Sequence, residues 1–202
     1  MNQVVKSTEE IILVAARSVF IQKGFSGARM QEIADEAGIN KALLHYYFRS
    51  KDHLFEAVFA QAISSFLPVV KSVLESDLPL KIKIIKFVET YIDILLANPH
   101  IPGFVIQELN NNPGRFVDKF KAMGLDPTII IKQVIEEEEL GMIRAVNPEH
   151  FMVNLLSMCI FPFVAKPIIK GVLRKDEDQY YLFLKERKEQ IIEFVMNSLS
   201  IK

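Results

Sequence analysis

Apolar residues recur at intervals of three and four through most of the chain, and no segment sustains the alternation of a half-buried strand, so the pattern predicts an all-α protein. Near the start Ile12, Ala16, Val19 and Phe20 share one helical face. Ser7-Thr8-Glu9-Glu10 has the spacing of a capping box and marks where that helix begins, and Gly24 followed by Phe25 marks a left-handed stop, placing its end near Lys23. Beyond residue 50 the periodicity predicts helices over 51–75, 80–97, 100–111, 115–122, 127–140, 148–170 and 178–200. Breaks fall at Pro79, Asn98-Pro99, Asn110 to Gly114, Asp126-Pro127 and Asn147-Pro148, because proline suits a first helical turn and not an interior. Pro68 is expected to kink the first of these helices.

The segment from Arg29 to Phe48 carries the most information. Met30, Ile33, Ala34 and Ala37 form one stripe, and the two alanines allow a second helix to cross closely. Gly38 can adopt the positive backbone angle that ends this helix, Ile39 can pack back, and Asn40 can cap the next helix at once. The result is a tight helix-turn-helix. In its second helix Leu44 and Phe48 face inward, while Lys41, Ala42, His45 and Tyr46 project elsewhere. Such an outward set suits a reading face: lysine for phosphate or guanine, tyrosine hydroxyls for phosphate, a small alanine for close approach to the duplex. Three-helix clusters with the same pattern also serve purely structural roles, so the residues alone leave both readings open.

Taken together, Ile33-Ala34, Ala37-Gly38-Ile39, Leu44-His45-Tyr46-Tyr47-Phe48 and Ser50-Lys51 resemble the N-terminal pattern of the TetR family of bacterial regulators, over about residues 8–58. The resemblance implies a DNA-binding domain over 1–50 and a helical effector-binding and dimerisation domain over 51–202. It places DNA contacts at Gln31, Lys41, Ala42, Leu43, His45, Tyr46, Tyr47 and Lys51. Two positions depart from the family: alanine stands at Ala42 where glycine is common, and histidine at His45 where tyrosine is common.

Composition narrows the alternatives. Half the residues are hydrophobic, which supplies a sizeable core, and the single cysteine, Cys159, sits in an apolar run as a small hydrophobe and excludes a disulfide framework within the chain. The formal net charge is −1, so any evidence for nucleic acid must be local. Up to residue 53 there are seven basic and six acidic residues, a surplus too small to bind strongly unless the cations share a face and two subunits add their contacts. The first residues lack the basic start and apolar stretch of a secretory signal, and the uncharged run from Phe151 to Ala165 is too short to span a bilayer, so a cytoplasmic protein with no membrane partner is expected. His53, His100 and His150 are isolated, and Glu136 to Glu139 point around their helix and read as a solvated face. Phosphate loops, zinc motifs and a nucleophile elbow are missing, so no catalytic residues, metal ligands or cofactors are expected.

The resemblance further implies a cavity for an apolar or amphipathic small molecule in the central helices. Phe66, Tyr91, Phe104, Gln107, Met123, Met158 and Phe161 are its candidate lining, with ordinary core packing as the alternative for each. It also implies a homodimer through the last two long helices. Phe151, Leu155, Met158 and Pro162 give one stripe there, and Leu184, Ile191, Val195 and Leu199 another, with burial inside one subunit as the competing reading. The expected function is a repressor released from a near-palindromic operator by an effector. Control by a protein partner is the alternative, and a helical-bundle enzyme the remote one.

Overall fold

A computed structural model describes residues 7–64, 67–111, 114, 124 and 126–201, and every regular element among them is an α-helix. The helices are α1 (Thr8–Gly27), α2 (Met30–Glu36), α3 (Lys41–Tyr47), α4 (Lys51–Ser64), α5 (Leu67–Leu74), α6 (Leu80–Ala97), α7 (Ile101–Asn111), α8 (Thr128–Glu139), α9 (Pro148–Val164), α10 (Lys166–Val172) and α11 (Glu177–Leu199). The helix expected over 115–122 lies outside the described residues.

The chain divides into two compact units. One contains α1 to α4 together with residues 103–111 of α7; the other contains α5, α6 and α8 to α11. This differs from the boundary expected at residue 50. The reason lies in α4, which buries Leu54, Phe55, Val58 and Phe59 and packs against α1, so it belongs to the head.

In the head, local signals act as the sequence implies. Ser7 and Glu10 form the reciprocal capping box, with the Glu10 amide donating to Ser7 Oγ at 3.2 Å and the Ser7 amide to Glu10 Oε2 at 2.8 Å. Gly24 takes φ 69° and ψ 173°, the left-handed break that was expected, but helical geometry resumes beyond it as far as Gly27. Ile12, Ala16 and Phe20 are fully buried, and Phe20 and Phe25 each meet Phe55 edge-on, with ring centroids 5.1 and 5.0 Å away. Phe104 continues this cluster, 5.1 Å from Phe55 and 6.1 Å from Phe59.

In the larger unit α6 is the central helix. Leu80, Ile84, Val88, Ile92 and Leu95 of α6 pack with Val134 of α8, Cys159 and Phe163 of α9, and Tyr180, Leu184, Ile191, Val195 and Leu199 of α11. The α11 stripe expected at a dimer surface is therefore core of the same subunit, as are Phe151 and Pro162 of α9, and Leu155 and Met158 are half-buried. The apolar groups left exposed lie elsewhere: Val153, Phe161 and Val164 on α9, Ile168 and Val172 on α10, Leu182 and Phe194 on α11. Glu137 departs from the solvated face expected of the glutamate run. It is buried and accepts from the Leu80 amide at 2.7 Å and from Gln133 Nε2 at 2.9 Å, capping α6, whose own N-cap residue is Pro79 and offers no side-chain acceptor.

The helix expected over 148–170 breaks at Ala165, where α9 and α10 bend by 77°. Pro162 explains this. It has no N–H, which orphans the Met158 carbonyl, and Pro167 in the next turn removes another donor. Two side chains of α11 compensate: Arg187 Nη2 donates to the Met158 carbonyl at 3.3 Å and Tyr180 Oη to the Pro162 carbonyl at 2.7 Å. Burial pushes the Tyr180 hydroxyl above its ordinary pKa, which keeps it a donor.

Candidate nucleic-acid interface

The geometry of the reading head follows from a short sequence of caps. At the end of α2 the Ile39 amide donates to the Ala34 carbonyl at 3.0 Å and the Gly38 amide to the Asp35 carbonyl at 3.1 Å, a Schellman turn that Gly38 permits with φ 67°. Asn40 then accepts from the Leu43 amide through Oδ1 at 2.8 Å and starts α3. Ser50 accepts from the His53 amide at 3.2 Å and starts α4. Each turn is set by one residue with few alternatives, so α3 is held in a fixed register between its neighbours.

That register decides which side chains face water. Leu44 is fully buried and Phe48 nearly so, whereas Lys41, Ala42, Leu43, His45, Tyr46 and Tyr47 are all exposed, Tyr46 to 81%. The Tyr46 and Tyr47 rings meet edge-on at 5.5 Å. A cation, a small residue, an imidazole and two phenols are thus presented together on a seven-residue helix, the chemistry a major-groove contact uses. On α2, Gln31 is also exposed, and its Nε2 donates to Asp35 Oδ1 at 2.8 Å, leaving its carbonyl oxygen outside that bond.

A strut fixes α2 against α1. Lys23 Nζ meets Glu32 Oε1 at 2.9 Å, and Glu32 Oε2 accepts from the Arg29 amide at 3.2 Å. The lysine holds the Glu32 carboxyl below the usual carboxylate range.

Residues 12–58 match the family described as bacterial regulatory proteins, tetR family. Over the helix-turn-helix and the helices beside it the chain is similar to the TetR family. The match runs from Ile12 in α1 to Val58 in α4 and so covers α2 and α3 whole, most of α1 and the first part of α4. Along more of its length this chain is similar to the HTH-type transcriptional regulator RutR of Escherichia coli O157:H7, 26% identical over 159 residues, covering 75% of this chain and 71% of that one. It is also similar to the probable HTH-type transcriptional regulator YttP of Bacillus subtilis, 25% identical over 181 residues, covering 88% and 87%. A structure from Clostridium perfringens, provisionally described as a fatty acid metabolism regulator, shares the fold with a TM-score of 0.71 at 18% identity, covering 95% of this chain and all of that one. The protein is a TetR-like helix-turn-helix transcriptional regulator and not an enzyme.

Several residues singled out by sequence are placed otherwise than expected. Lys51 is half-buried, and its ammonium donates to the Phe25 carbonyl at 2.8 Å and the Ala28 carbonyl at 3.1 Å. The described candidate effector residues are divided between the two units. Phe104 is buried in the aromatic cluster of the head. Tyr91 stacks on Phe87 at 5.1 Å beside the core of the larger unit, where burial pushes its hydroxyl well above the ordinary range. Phe161 is 60% exposed, and Met158 borders an open groove with Arg187, Gln190, Glu193, Phe194 and Asn197. Phe66 and Met123 lie outside the described residues, as does the Gln107 side chain. Sequence reasoning passed over Arg29 and Arg49, exposed cations flanking α2 and α3. Their charge beside the helix-turn-helix was the available signal. Among the described residues no single helix is long and apolar enough to cross a membrane.

Proposed function

We propose that this regulator binds a near-palindromic operator as a homodimer and represses transcription by occupying promoter DNA, until an apolar or amphipathic small molecule bound by the larger unit releases it. The observation that carries the DNA reading is the division of α3: Leu44 and Phe48 buried, and Lys41, Ala42, Leu43, His45, Tyr46 and Tyr47 turned outward. Gln31 and the flanking Arg29 and Arg49 add polar and cationic contacts, the arginines to phosphate. Lys41 and His45, four residues apart, are the base readers.

Dimerisation is supported by the exposed apolar side chains of α9, α10 and α11, because a monomer gains nothing by leaving Phe161, Ile168, Val172 and Phe194 in water. A two-fold dimer presents two identical heads, which is why a near-palindromic site suits it. For the effector, Tyr91 remains the best-placed candidate of those described, half-buried against apolar α6 neighbours with a phenol to orient a ligand.

Selection of bound fragments from random duplex DNA tests the reading. The full chain should enrich an inverted repeat, and Lys41→Ala with His45→Ala should relax or change its half-site. Recovery of the parental motif at unchanged stringency would sink the assignment of base reading to those two residues.

A further inference from the structure

The position of Lys51 after the reading head suits a phosphate contact, yet its ammonium is engaged inside the protein. Of its three donor protons, one goes to the Phe25 carbonyl at 2.8 Å and one to the Ala28 carbonyl at 3.1 Å, and Nζ lies 4.6 Å from the centre of the Phe25 ring, within cation–π range. These carbonyls need a donor from elsewhere. They follow the break at Gly24, where the hydrogen-bond ladder of α1 is running out. The Arg29 amide, four residues beyond Phe25 and its natural helical partner, is already taken by the Glu32 carboxylate. Ala28 is buried at 2% exposure, so water is a poor substitute there.

We propose that Lys51 is a positioning residue for operator recognition: from the first turn of α4 it clamps the turn between α1 and α2, and so sets the pose of α2 and α3, without itself neutralising a phosphate. The clamp shares its corner with two other ties, the Lys23–Glu32 ion pair and the Phe25–Phe55 ring contact, and together they fix three helices at one junction. With α2 fixed, α3, which packs against it and buries Leu44 and Phe48, is held in turn. The inference rests on the DNA-binding reading above but makes a different prediction about Lys51. A phosphate contact acts on any duplex and contributes about 0.9 to the negative salt slope. A clamp acts on the fit of the head to one sequence and contributes nothing to that slope.

The experiment compares the full-length protein with Lys51→Met on the selected operator and on a random-sequence duplex, across a range of salt concentrations. Loss of two hydrogen bonds from a charged donor should weaken operator binding about tenfold, with random-duplex affinity within about twofold and the salt slope unchanged. Equal weakening on both duplexes overturns the clamp, either as a phosphate contact, when the slope falls by about 0.9 per subunit, or as a loss of global stability, when it does not. A second measurement needs no variant. In the unmodified free protein the Lys51 ammonium protons should exchange slowly with water, and the Nζ resonance should stay where it is on adding operator. Rapid exchange, or a scalar coupling to phosphorus in the complex, would overturn the proposal. If the unmodified protein selects no duplex at all, it is the DNA reading that fails, and the exchange measurement still judges the clamp.

Discussion

Leu44 and Tyr46 stand two residues apart in the same short helix, one fully buried and the other 81% exposed, and the difference should separate stability from binding cleanly. Leu44→Ala leaves a cavity under α3 and should lower unfolding free energy by about 2–5 kcal/mol in denaturant titration. Tyr46→Phe removes only a hydroxyl in water, so stability should stay within about 0.5 kcal/mol while operator affinity falls. If Tyr46→Phe binds operator as tightly as the parent, that hydroxyl is not a contact. A second residue with a measurable signature is Glu177, whose carboxyl Lys166 and Lys170 hold down at about 2 from an ordinary 4.5. Because the folded value is depressed, the ion pairs stabilise fully above the ordinary value and are lost as pH falls toward 2. Carbon-detected NMR titration should find Glu177 still ionised at pH 3, and raised salt should bring its titration back toward the ordinary range.

At the scale of elements, the α9–α10 bend depends on donors from α11. Tyr180→Phe keeps the ring packing but leaves the buried Pro162 carbonyl without its partner, which should cost about 1–3 kcal/mol and lower the denaturant midpoint. An unchanged midpoint would mean that water reaches that carbonyl. The same bend marks where the sequence stopped being legible. Pro162 is visible as a helix breaker, but its compensating donors stand 18 residues on, in Tyr180, and Arg187 reaches back 29 residues to Met158, so no local pattern announces them. Ser7, Gly38 and Asn40 were readable because each acts within three to five residues of itself. Leu184, Ile191, Val195 and Leu199 show a third case: a stripe announces that a face is buried, but not whether α6 or a second copy buries it. Lys51 is a related case, since its type fits a phosphate and only the fold brings two carbonyls 23 and 26 residues upstream within reach.

For the molecule as a whole, the dimer proposed above places its interface on the exposed apolar residues of α9 to α11. Phe161→Glu should place a charge in that face and yield monomers in sedimentation velocity, with helix content unchanged because the side chain is 60% exposed. With one head per particle, the salt slope of DNA binding should drop to about half. A dimeric Phe161→Glu with parental slope would move the interface elsewhere. The two carbonyls served by α11 also bear on the order in which the chain can be finished during synthesis. The head draws its packing from α1 to α4 and residues 103–111, all of which emerge from the ribosome before α9 is made. The bend at Ala165 must wait, because the donors that satisfy it belong to α11, which is translated after it. A nascent chain therefore completes its DNA-reading half early, and a message truncated before Tyr180 would deliver a folded head on a body that cannot close.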